Sequence, residues 1–308
     1  MSSSITDRVE KANHVSPENL ISMPPVPKSA KIEITSRCNY KCSYCAVSKS
    51  GRKKGDMDFD MFRRIVSELA DLGVEEVGLF LLGESFLVKD LPNYVKYCKY
   101  AGIPYVFITT NGSLCTKEAM TPVIEAGLDS VKFSINAGTR ERYREMTGRD
   151  MFNDVIRNIK WLKEYKVSSG KSLPSVAVSS IFKEEYKDEL AALKESLKDF
   201  IDDYYLMPPY NQGGQIQGFS GSVVGNPGKL DTMVPPVPCW VLFNAIKITW
   251  DGKMTACPFD HESAFEIADL KTTSIADAWN DFKFVALRRD HLENNIRNKA
   301  CLACLGMN

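Results

Sequence analysis

Short runs of apolar and β-branched residues alternate with amphipathic stretches over the first two-thirds of the chain. In the clearest amphipathic stretch, Met61, Ile65, Leu69 and Leu72 recur at helical spacing behind acidic residues. The apolar runs predict six strands, at 31–35, 76–82, 105–109, 130–135, 176–182 and 203–207. The amphipathic stretches predict helices at 58–72, 91–101, 117–126, 152–165 and 186–200.

A regular alternation of strand and helix predicts βαβ units with right-handed crossovers and a parallel sheet. Such a sheet is either open or curls into a full or partial barrel. In both arrangements the chemistry is expected at the carboxyl ends of the strands.

The composition of the sequence changes at 208–238. Six Gly and six Pro fall within these 31 residues and predict a long loop or linker. Beyond it, 244–250 and 253–256 flank an Asp-Gly turn and predict a β-hairpin. Helices are predicted at 274–280, with Ser274 as N-cap, and at 282–294. The predicted organisation is an N-terminal extension at 1–28, an α/β domain at 29–207, the linker at 208–238 and a small α+β domain at 239–308.

Composition and charge narrow the classes of protein. The chain has 44% hydrophobic and 25% charged residues, which is typical of a globular protein. Lys plus Arg and Asp plus Glu both number 39, so we expect neither nucleic acid nor a membrane surface as a partner. The first thirty residues do not read as a secretory signal, which predicts a cytoplasmic protein. In that reducing compartment, nine cysteines indicate metal ligation rather than disulfides.

The first cysteine group consists of Cys38, Cys42 and Cys45, directly after the first predicted strand. Three thiolates on so short a loop can bind one face of a [4Fe–4S] cluster and leave one iron open to a small chelating molecule. A zinc knuckle is the alternative, but structural zinc requires four ligands and no fourth Cys or His lies nearby.

With Tyr44 before Cys45, this group resembles the C-x3-C-x-aromatic-C signature of the radical S-adenosylmethionine (SAM) superfamily. The resemblance implies a TIM-type partial (β/α)6 barrel in which SAM chelates the open iron through its amino and carboxylate groups. It also implies cleavage of SAM to a 5′-deoxyadenosyl radical, which abstracts hydrogen from a substrate. An electron donor such as flavodoxin or ferredoxin is implied as a partner.

Further segments at predicted strand ends resemble SAM-binding segments of the same superfamily. Gly83 and Glu84 stand where the family receives the SAM ammonium group, although Leu82 and Ser85 depart from its commonest form. The other candidates for SAM contacts, by the same resemblance, are Thr109, Asn111, Ser134, Asn136 and Arg149. Without the resemblance, the Asn-Gly pair at 111–112 is equally an ordinary turn and Ser134 a strand-end hydroxyl.

The second cysteine group is Cys239, Cys257, Cys301 and Cys304, with intervening lengths of 17, 43 and 2 residues. Four thiolates can surround one metal centre, and a zinc ribbon is an open alternative on spacing alone. The pattern resembles the shortened SPASM or twitch domain of a radical SAM subfamily, which implies one auxiliary [4Fe–4S] cluster.

Two further cysteines fall outside these groups. Cys98 lies in a predicted amphipathic helix and is expected in the core. Cys115 follows the turn at 111–112, where its thiol could return a hydrogen atom to a substrate radical; burial at a helix start is the alternative.

The likeness within the subfamily points to enzymes of the 2-deoxy-scyllo-inosamine dehydrogenase type, in which an Arg lies beside the substrate where Gln212 stands here. We therefore expect oxidation of a small polar substrate, such as an aminocyclitol, amino sugar or nucleoside, in a natural-product pathway. A redox-neutral epimerase, a decarboxylase and a ribosomal-peptide maturase remain open. A non-catalytic iron–sulfur or zinc protein would leave the SAM-type segments unexplained.

Overall fold

The computed structural model describes residues 5–216 and 222–307, so parts of the predicted extension, linker and C-terminal domain lie outside it. All six strands predicted in the first two-thirds of the chain are present. They are β1 (Ser29–Ile32), β2 (Glu76–Gly78), β3 (Tyr105–Thr110), β4 (Ser130–Ser134), β5 (Ser175–Ile181) and β6 (Asp203–Met207).

These six strands are parallel and lie side by side in chain order, which confirms the predicted α/β partial barrel. Three C-terminal strands extend the same sheet beyond β1: β7 (Ile246–Ile248), β8 (Lys253–Thr255) and β9 (Glu266–Asp269). β7 runs parallel to β1, whereas β8 and β9 are antiparallel to their neighbours. Among the described strands, β6 and β9 are the edges of one unclosed nine-stranded sheet.

The helices pack on the sheet and around its ends. They are α1 (Ile5–Asn13), α2 (Phe59–Asp71), α3 (Leu91–Tyr100), α4 (Lys117–Glu125), α5 (Arg140–Thr147), α6 (Phe152–Ser169), α7 (Lys187–Leu197), α8 (Val241–Asn244), α9 (Ile275–Trp279), α10 (Phe282–Leu292) and α11 (Lys299–Cys304). The sequence pattern did not predict α1, α5, α8 or α11. Within the described ranges, no helix combines the length and apolar character needed to cross a membrane.

Local sequence accounts for where α2 begins and which face it buries. The Asp58 side chain caps the helix by accepting a hydrogen bond from the Met61 N–H at 3.0 Å. The fully buried positions are one helical stripe: Phe62, Ile65, Val66 and Leu69. Met61 and Leu72, which the pattern placed on this stripe, lie at its margin and are only partly buried.

Helix α1 crosses the amino ends of the barrel strands. The Thr6 N–H donates to Asp203, the first residue of β6, at 2.7 Å. Arg8 pairs with Glu76, the first residue of β2, at 3.0 Å and stacks on the Tyr105 ring. The helix therefore covers the end of the barrel opposite the strand carboxyl ends.

The C-terminal helices are held by the chain that precedes β1. Ser274 caps α9 as predicted, accepting from the Asp277 N–H at 3.0 Å. Trp279 is fully buried and donates through its indole to the Pro24 carbonyl at 2.9 Å. Arg288, also fully buried, stacks on the Trp279 ring and donates to the Trp279 carbonyl at 2.9 Å. Residues far apart in sequence therefore share one core.

The buried carboxylate of Glu33, which directly follows β1, pairs with Arg52 and is also hydrogen-bonded to the C-terminal hairpin. The Glu33 side chain has no solvent exposure, and it accepts hydrogen bonds from the Arg52 guanidinium and from the Trp250 N–H. Burial raises the pKa of Glu33, and the Arg52 charge opposes that rise. Loss of Arg52 would leave an uncompensated carboxylate in the interior.

We expect Arg52→Met to lower the melting temperature of the reconstituted protein by roughly 5–15 °C, since breaking a buried pair costs about 3–5 kcal/mol. Differential scanning calorimetry would measure the shift. Arg63→Met is the matched control, because Arg63 pairs with Asp60 at the surface. That variant should shift the melting temperature by no more than about 2 °C. Equal shifts for the two variants would contradict a structural role for the Glu33–Arg52 pair.

Candidate functional site

The carboxyl ends of β1 to β4 open into one cavity of about 380 Å³. Its walls bring together most of the residues singled out in the sequence, although these lie in five separate segments of the chain. They are Cys38, Cys42, Tyr44, Cys45, Gly83, Glu84, Thr109, Asn111, Ser134, Asn136 and Gln212. Cys115 and Arg149 are absent from this lining.

The three cysteines of the first group lie near one another on the loop after β1. Burial raises the pKa of Cys42 to about 12; the Tyr44 hydroxyl opposes the rise, and the neighbouring Cys45 and Cys38 sulfurs add to it. Burial likewise raises the pKa of Cys38 to about 11. These three neighbouring thiols would ionise only with cationic charge nearby, which the irons of a cluster would supply. Such a donor set fits an iron–sulfur cluster with one open iron.

Gly83 fits its position because of the loop that carries these cysteines. A Cβ atom built at Gly83 would lie 2.1 Å from the Thr35 carbonyl oxygen and 2.8 Å from that of Arg37. The next N–H, from Glu84, donates to the Arg37 carbonyl at 2.8 Å. The segment after β2 is therefore in backbone contact with the start of the cysteine loop.

Glu84 lies at the cavity wall, but its carboxylate is directed to the neighbouring strand end. The side chain is 2% exposed and accepts from the Thr110 hydroxyl and the Asn111 N–H, both at 2.8 Å. A third bond comes from the Phe86 N–H at 3.2 Å. Burial raises the pKa of Glu84, and these three donors lower it. The carboxylate thus fixes the segment after β3 relative to that after β2.

Asn39 extends this network into the cysteine loop, and sequence reasoning missed it. The Asn111 amide donates to the Asn39 side-chain oxygen at 2.9 Å, and the Asn39 amide donates to the Ser113 hydroxyl at 3.0 Å. Asn39 lies directly after Cys38, so its position in the motif was the available signal. The network holds the cysteine loop and the β3 end in one arrangement.

Tyr44 and Asn136 connect the cysteine loop to the end of β4. The Tyr44 hydroxyl is hydrogen-bonded to both Cys42 and Asn136, and burial raises its pKa well above the usual range. The Asn136 side-chain oxygen also accepts from the Ile181 N–H at 3.2 Å. Ser134 is the last residue of β4 and lies on the same cavity wall.

Two candidates lie away from the cavity. Arg149 is exposed and donates from Nε to the Asn39 carbonyl at 3.2 Å, so it contacts the backbone of the cysteine loop. Cys115 is 1% exposed in the hydrophobic core, with its sulfur 3.6 Å from the Thr110 hydroxyl. Burial raises the pKa of Cys115 well above its usual value. Cys98 is fully buried in α3, which confirms its expected core position.

The four C-terminal cysteines line a second, smaller cavity of about 40 Å³. Burial raises the pKa of Cys257 well above its usual range, and the nearby Cys239, Cys304 and Cys301 raise it further. Four thiols around one space are a complete donor set for an iron–sulfur cluster. In the described part of the chain, no three His, Cys, Asp or Glu side chains converge as a single metal ion would require.

Residues 211–214 connect the two cysteine groups. The Gln212 side-chain oxygen accepts from the N–H of Ala46, which follows Cys45, at 3.1 Å. The Asn211 amide donates to the Cys304 carbonyl at 2.8 Å. Burial raises the pKa of Cys304, whereas the N–H of Gly213 donates to its sulfur and lowers it. This short segment, which we call the bridging segment, therefore contacts both groups.

Comparison with known proteins identifies both domains. Residues 32–211, more than half of the chain, match the family described as the Radical SAM superfamily. Residues 239–305 match the SPASM family, described as an iron–sulfur cluster-binding domain.

Individual relatives match over shorter stretches. A GTP 3′,8-cyclase of Chlorobaculum tepidum is 34% identical over 128 residues, which cover 41% of this chain and 38% of that protein. A PqqA peptide cyclase of Bradyrhizobium diazoefficiens is 30% identical over 144 residues, covering 45% and 37%. The chain thus aligns with well under half the length of each of these two relatives.

Two solved structures share the fold along most of the chain. SuiB of Streptococcus suis, bound to its precursor peptide SuiA, superposes with a TM-score of 0.69 at 16% identity and covers 98% of this chain and 72% of that one. BtrN in complex with AdoMet and 2-DOIA gives a TM-score of 0.58 at 18% identity, covering 87% and 88%.

These matches assign the cofactors of the two domains. A radical SAM barrel binds a [4Fe–4S] cluster together with SAM, and a SPASM domain binds additional iron–sulfur clusters. The two cysteine groups described above are the thiol donors available to them. The chain belongs to the radical SAM superfamily, in the branch that carries a C-terminal SPASM domain.

Proposed function

We propose that this chain is a radical SAM oxidoreductase that oxidises a small polar substrate and passes the second electron to one auxiliary cluster. The observation that carries the proposal is the bridging segment, which contacts both the loop of Cys45 and the carbonyl of Cys304. Net oxidation of a substrate requires an electron acceptor close to the site where the radical forms. A redox-neutral reaction does not need one.

In this proposal Cys38, Cys42 and Cys45 hold the SAM-cleaving cluster, and the C-terminal four hold the auxiliary cluster. Bound in the barrel, the cluster and SAM supply a 5′-deoxyadenosyl radical, which takes a hydrogen atom from a substrate carbon. The four C-terminal thiols would hold a cluster able to take up the second electron, and loss of a hydroxyl proton to water would complete the oxidation of an alcohol to a ketone. A flavodoxin or ferredoxin supplies the electron that starts the cycle.

The chain's own residues orient the reactants. The Glu84 carboxylate fixes the Asn111 segment at the cavity wall, and Tyr44 ties the cysteine loop to the end of β4. Gln212 has a φ of +47°, a left-handed conformation uncommon outside glycine, and its side chain is held by the Ala46 N–H. We assign Gln212 to the substrate end of the cavity, where its strained position directs an amide toward bound substrate.

The shape of the cavity favours a small substrate. Ile5, Val9 and Asn13 of α1 close its far end. Since the first cluster and SAM would occupy the same cavity, the space left over suits a molecule no larger than a sugar or nucleoside. We therefore propose an aminocyclitol, amino sugar or nucleoside within a natural-product pathway.

A peptide substrate is the second candidate. The specific observation in its favour is the superposition on SuiB bound to its precursor peptide, which covers 98% of this chain. The cyclase relatives add a further possibility, which is ring formation in a nucleotide or a peptide. Mass spectrometry of small-molecule and peptide libraries after incubation with SAM would separate these classes.

The first prediction concerns iron content. We expect about eight irons per chain in the anaerobically reconstituted protein, and about four after combined replacement of Cys38, Cys42 and Cys45 by alanine. The triple variant should also lose SAM cleavage. Cys98→Ala is the matched control and should keep the wild-type iron content, because this thiol is buried in α3. Production of 5′-deoxyadenosine by the triple variant would disprove the ligand assignment.

The second prediction concerns SAM affinity. Glu84→Gln places an amide group against the Thr110 hydroxyl and the Asn111 N–H, so the segment after β3 must shift. Loss of charge-assisted hydrogen bonds worth about 1.5–3 kcal/mol should weaken SAM binding roughly 10- to 150-fold. Anaerobic calorimetry would measure this, with the exposed Glu118→Gln in α4 as control. Equal affinities for both variants would remove Glu84 from the SAM site.

The third prediction separates oxidation from epimerisation. Oxidation consumes one SAM per product and requires no hydrogen donor. Since Cys115 is buried and does not line the cavity, Cys115→Ala should turn over as wild type, and no deuterium should enter the product in deuterated water. Redox-neutral epimerisation would be indicated instead if wild-type product carried deuterium and the variant made 5′-deoxyadenosine without product.

A further inference from the structure

Two lysines in the barrel interior have no role in the chemistry described above. Lys31 lies in β1 and Lys132 in β4, and both side chains line the main cavity. Lys132 is two residues before Ser134 on the same strand, so the two side chains share one face of the sheet. Both lysines therefore lie deeper in the barrel than the segments at the strand carboxyl ends.

Neither ammonium group has a polar partner among the described residues. Both instead face aromatic rings: the Lys31 Nζ lies 5.8 Å from the centre of the Phe80 ring, and the Lys132 Nζ lies 5.6 Å from that of Tyr205. The charge of Glu76 raises the pKa of Lys31, but this carboxylate is already paired with Arg8.

The other two lysines of the same cavity are satisfied. Lys229 pairs with Glu10 at 2.9 Å. Lys247, the register partner of Lys31 in β7, donates to the carbonyls of Val241 and Ala245 at 2.5 and 2.8 Å. The absence of a partner is thus particular to Lys31 and Lys132 rather than general to lysines of this cavity.

The cavity also lacks an acidic group that could neutralise them. Among its described lining residues Glu84 is the one carboxylate, and its oxygens are occupied by Thr110, Asn111 and Phe86. Burial, and then the charge of Lys132, lower the pKa of Lys31 to about 8, while Glu76 opposes this. Burial alone lowers the pKa of Lys132 to about 8. At pH 7 both remain largely protonated, so an anion bound near them in the cavity would relieve an unfavourable interaction.

We propose that Lys31 and Lys132 form an anion-binding site inside the barrel, which holds a carboxylate or phosphate group of the substrate. The assignment of that anion to the substrate rests on the proposed function. Lysine ammonium groups bind such oxyanions as point charges and do not need the fork geometry of arginine.

This site narrows the substrate class. An acidic group held deep in the barrel directs the rest of the molecule toward the strand carboxyl ends, where hydrogen abstraction takes place. A sugar phosphate, a nucleotide or a molecule with a carboxylate would fit. Among the substrate classes proposed above, an aminocyclitol that carries only amino groups is therefore disfavoured, because the two lysines would repel it.

Anaerobic calorimetry on the reconstituted protein with bound SAM tests the site, with inorganic phosphate and acetate as separate probes. The variants are Lys31→Met, Lys132→Met and the double replacement, which keep side-chain length and remove charge. Lys132→Gln serves as a second variant if a methionine variant does not fold. Lys96→Met, at an exposed position of α3, is the matched control. SAM affinity is measured in parallel for every protein.

We expect one anion per chain to bind the wild type and the control, with affinity about 10-fold or more lower in each single variant and no binding to the double variant. Preference for phosphate or for acetate identifies the acidic group. Three results overturn the proposal: no saturable binding to wild type, equal binding to the double variant, or a parallel loss of SAM affinity. The last would mean that the lysines hold the SAM carboxylate. Because anion binding is measured without turnover, failure of SAM cleavage would reject the proposed function separately.

Discussion

One buried carboxylate holds the active end of this barrel together. Glu84 lies in the segment after β2, and its carboxylate accepts hydrogen bonds from the end of β3. Its own N–H donates to the cysteine loop after β1. Three strand ends that would otherwise be independent loops therefore have one relative position. Gly83 makes this possible, because any larger residue there would collide with the Thr35 carbonyl. The arrangement of the cysteine loop relative to the SAM-type segments follows from these two adjacent residues.

A second level of organisation joins the barrel to the C-terminal domain. The pairing of β7 with β1 continues the sheet, and the hydrogen bonds of Trp250 to Glu33 and of Trp279 to Pro24 hold the same junction. The bridging segment then contacts two cysteine groups whose relative position these pairings already determine. The junction therefore holds the two cysteine groups at a set separation.

The sequence predicted the six barrel strands and both cysteine groups because their signals are local: periodicity within a few residues, and thiols at fixed spacing. It predicted the C-terminal hairpin but not its pairing with β1, since register between distant strands leaves no local mark. Helix α1 was missed because its partners, Asp203 and Glu76, come from other parts of the chain. The direction of the Glu84 carboxylate and the isolation of Lys31 and Lys132 likewise depend on tertiary neighbours. Composition could not reveal the two lysines, since the whole chain is electrically balanced.

The continuous sheet has a consequence for how this architecture can be inherited or re-engineered. A domain joined by a flexible tether can be exchanged or deleted, and the remainder keeps its fold. Here removal of the C-terminal part would strip β1 of its β7 partner and expose the unpaired backbone of a strand that otherwise lies inside the sheet. Such an edge promotes association between chains. Recombination that replaces the cluster-binding part must therefore carry a compatible strand with it, so the two halves are constrained to change together.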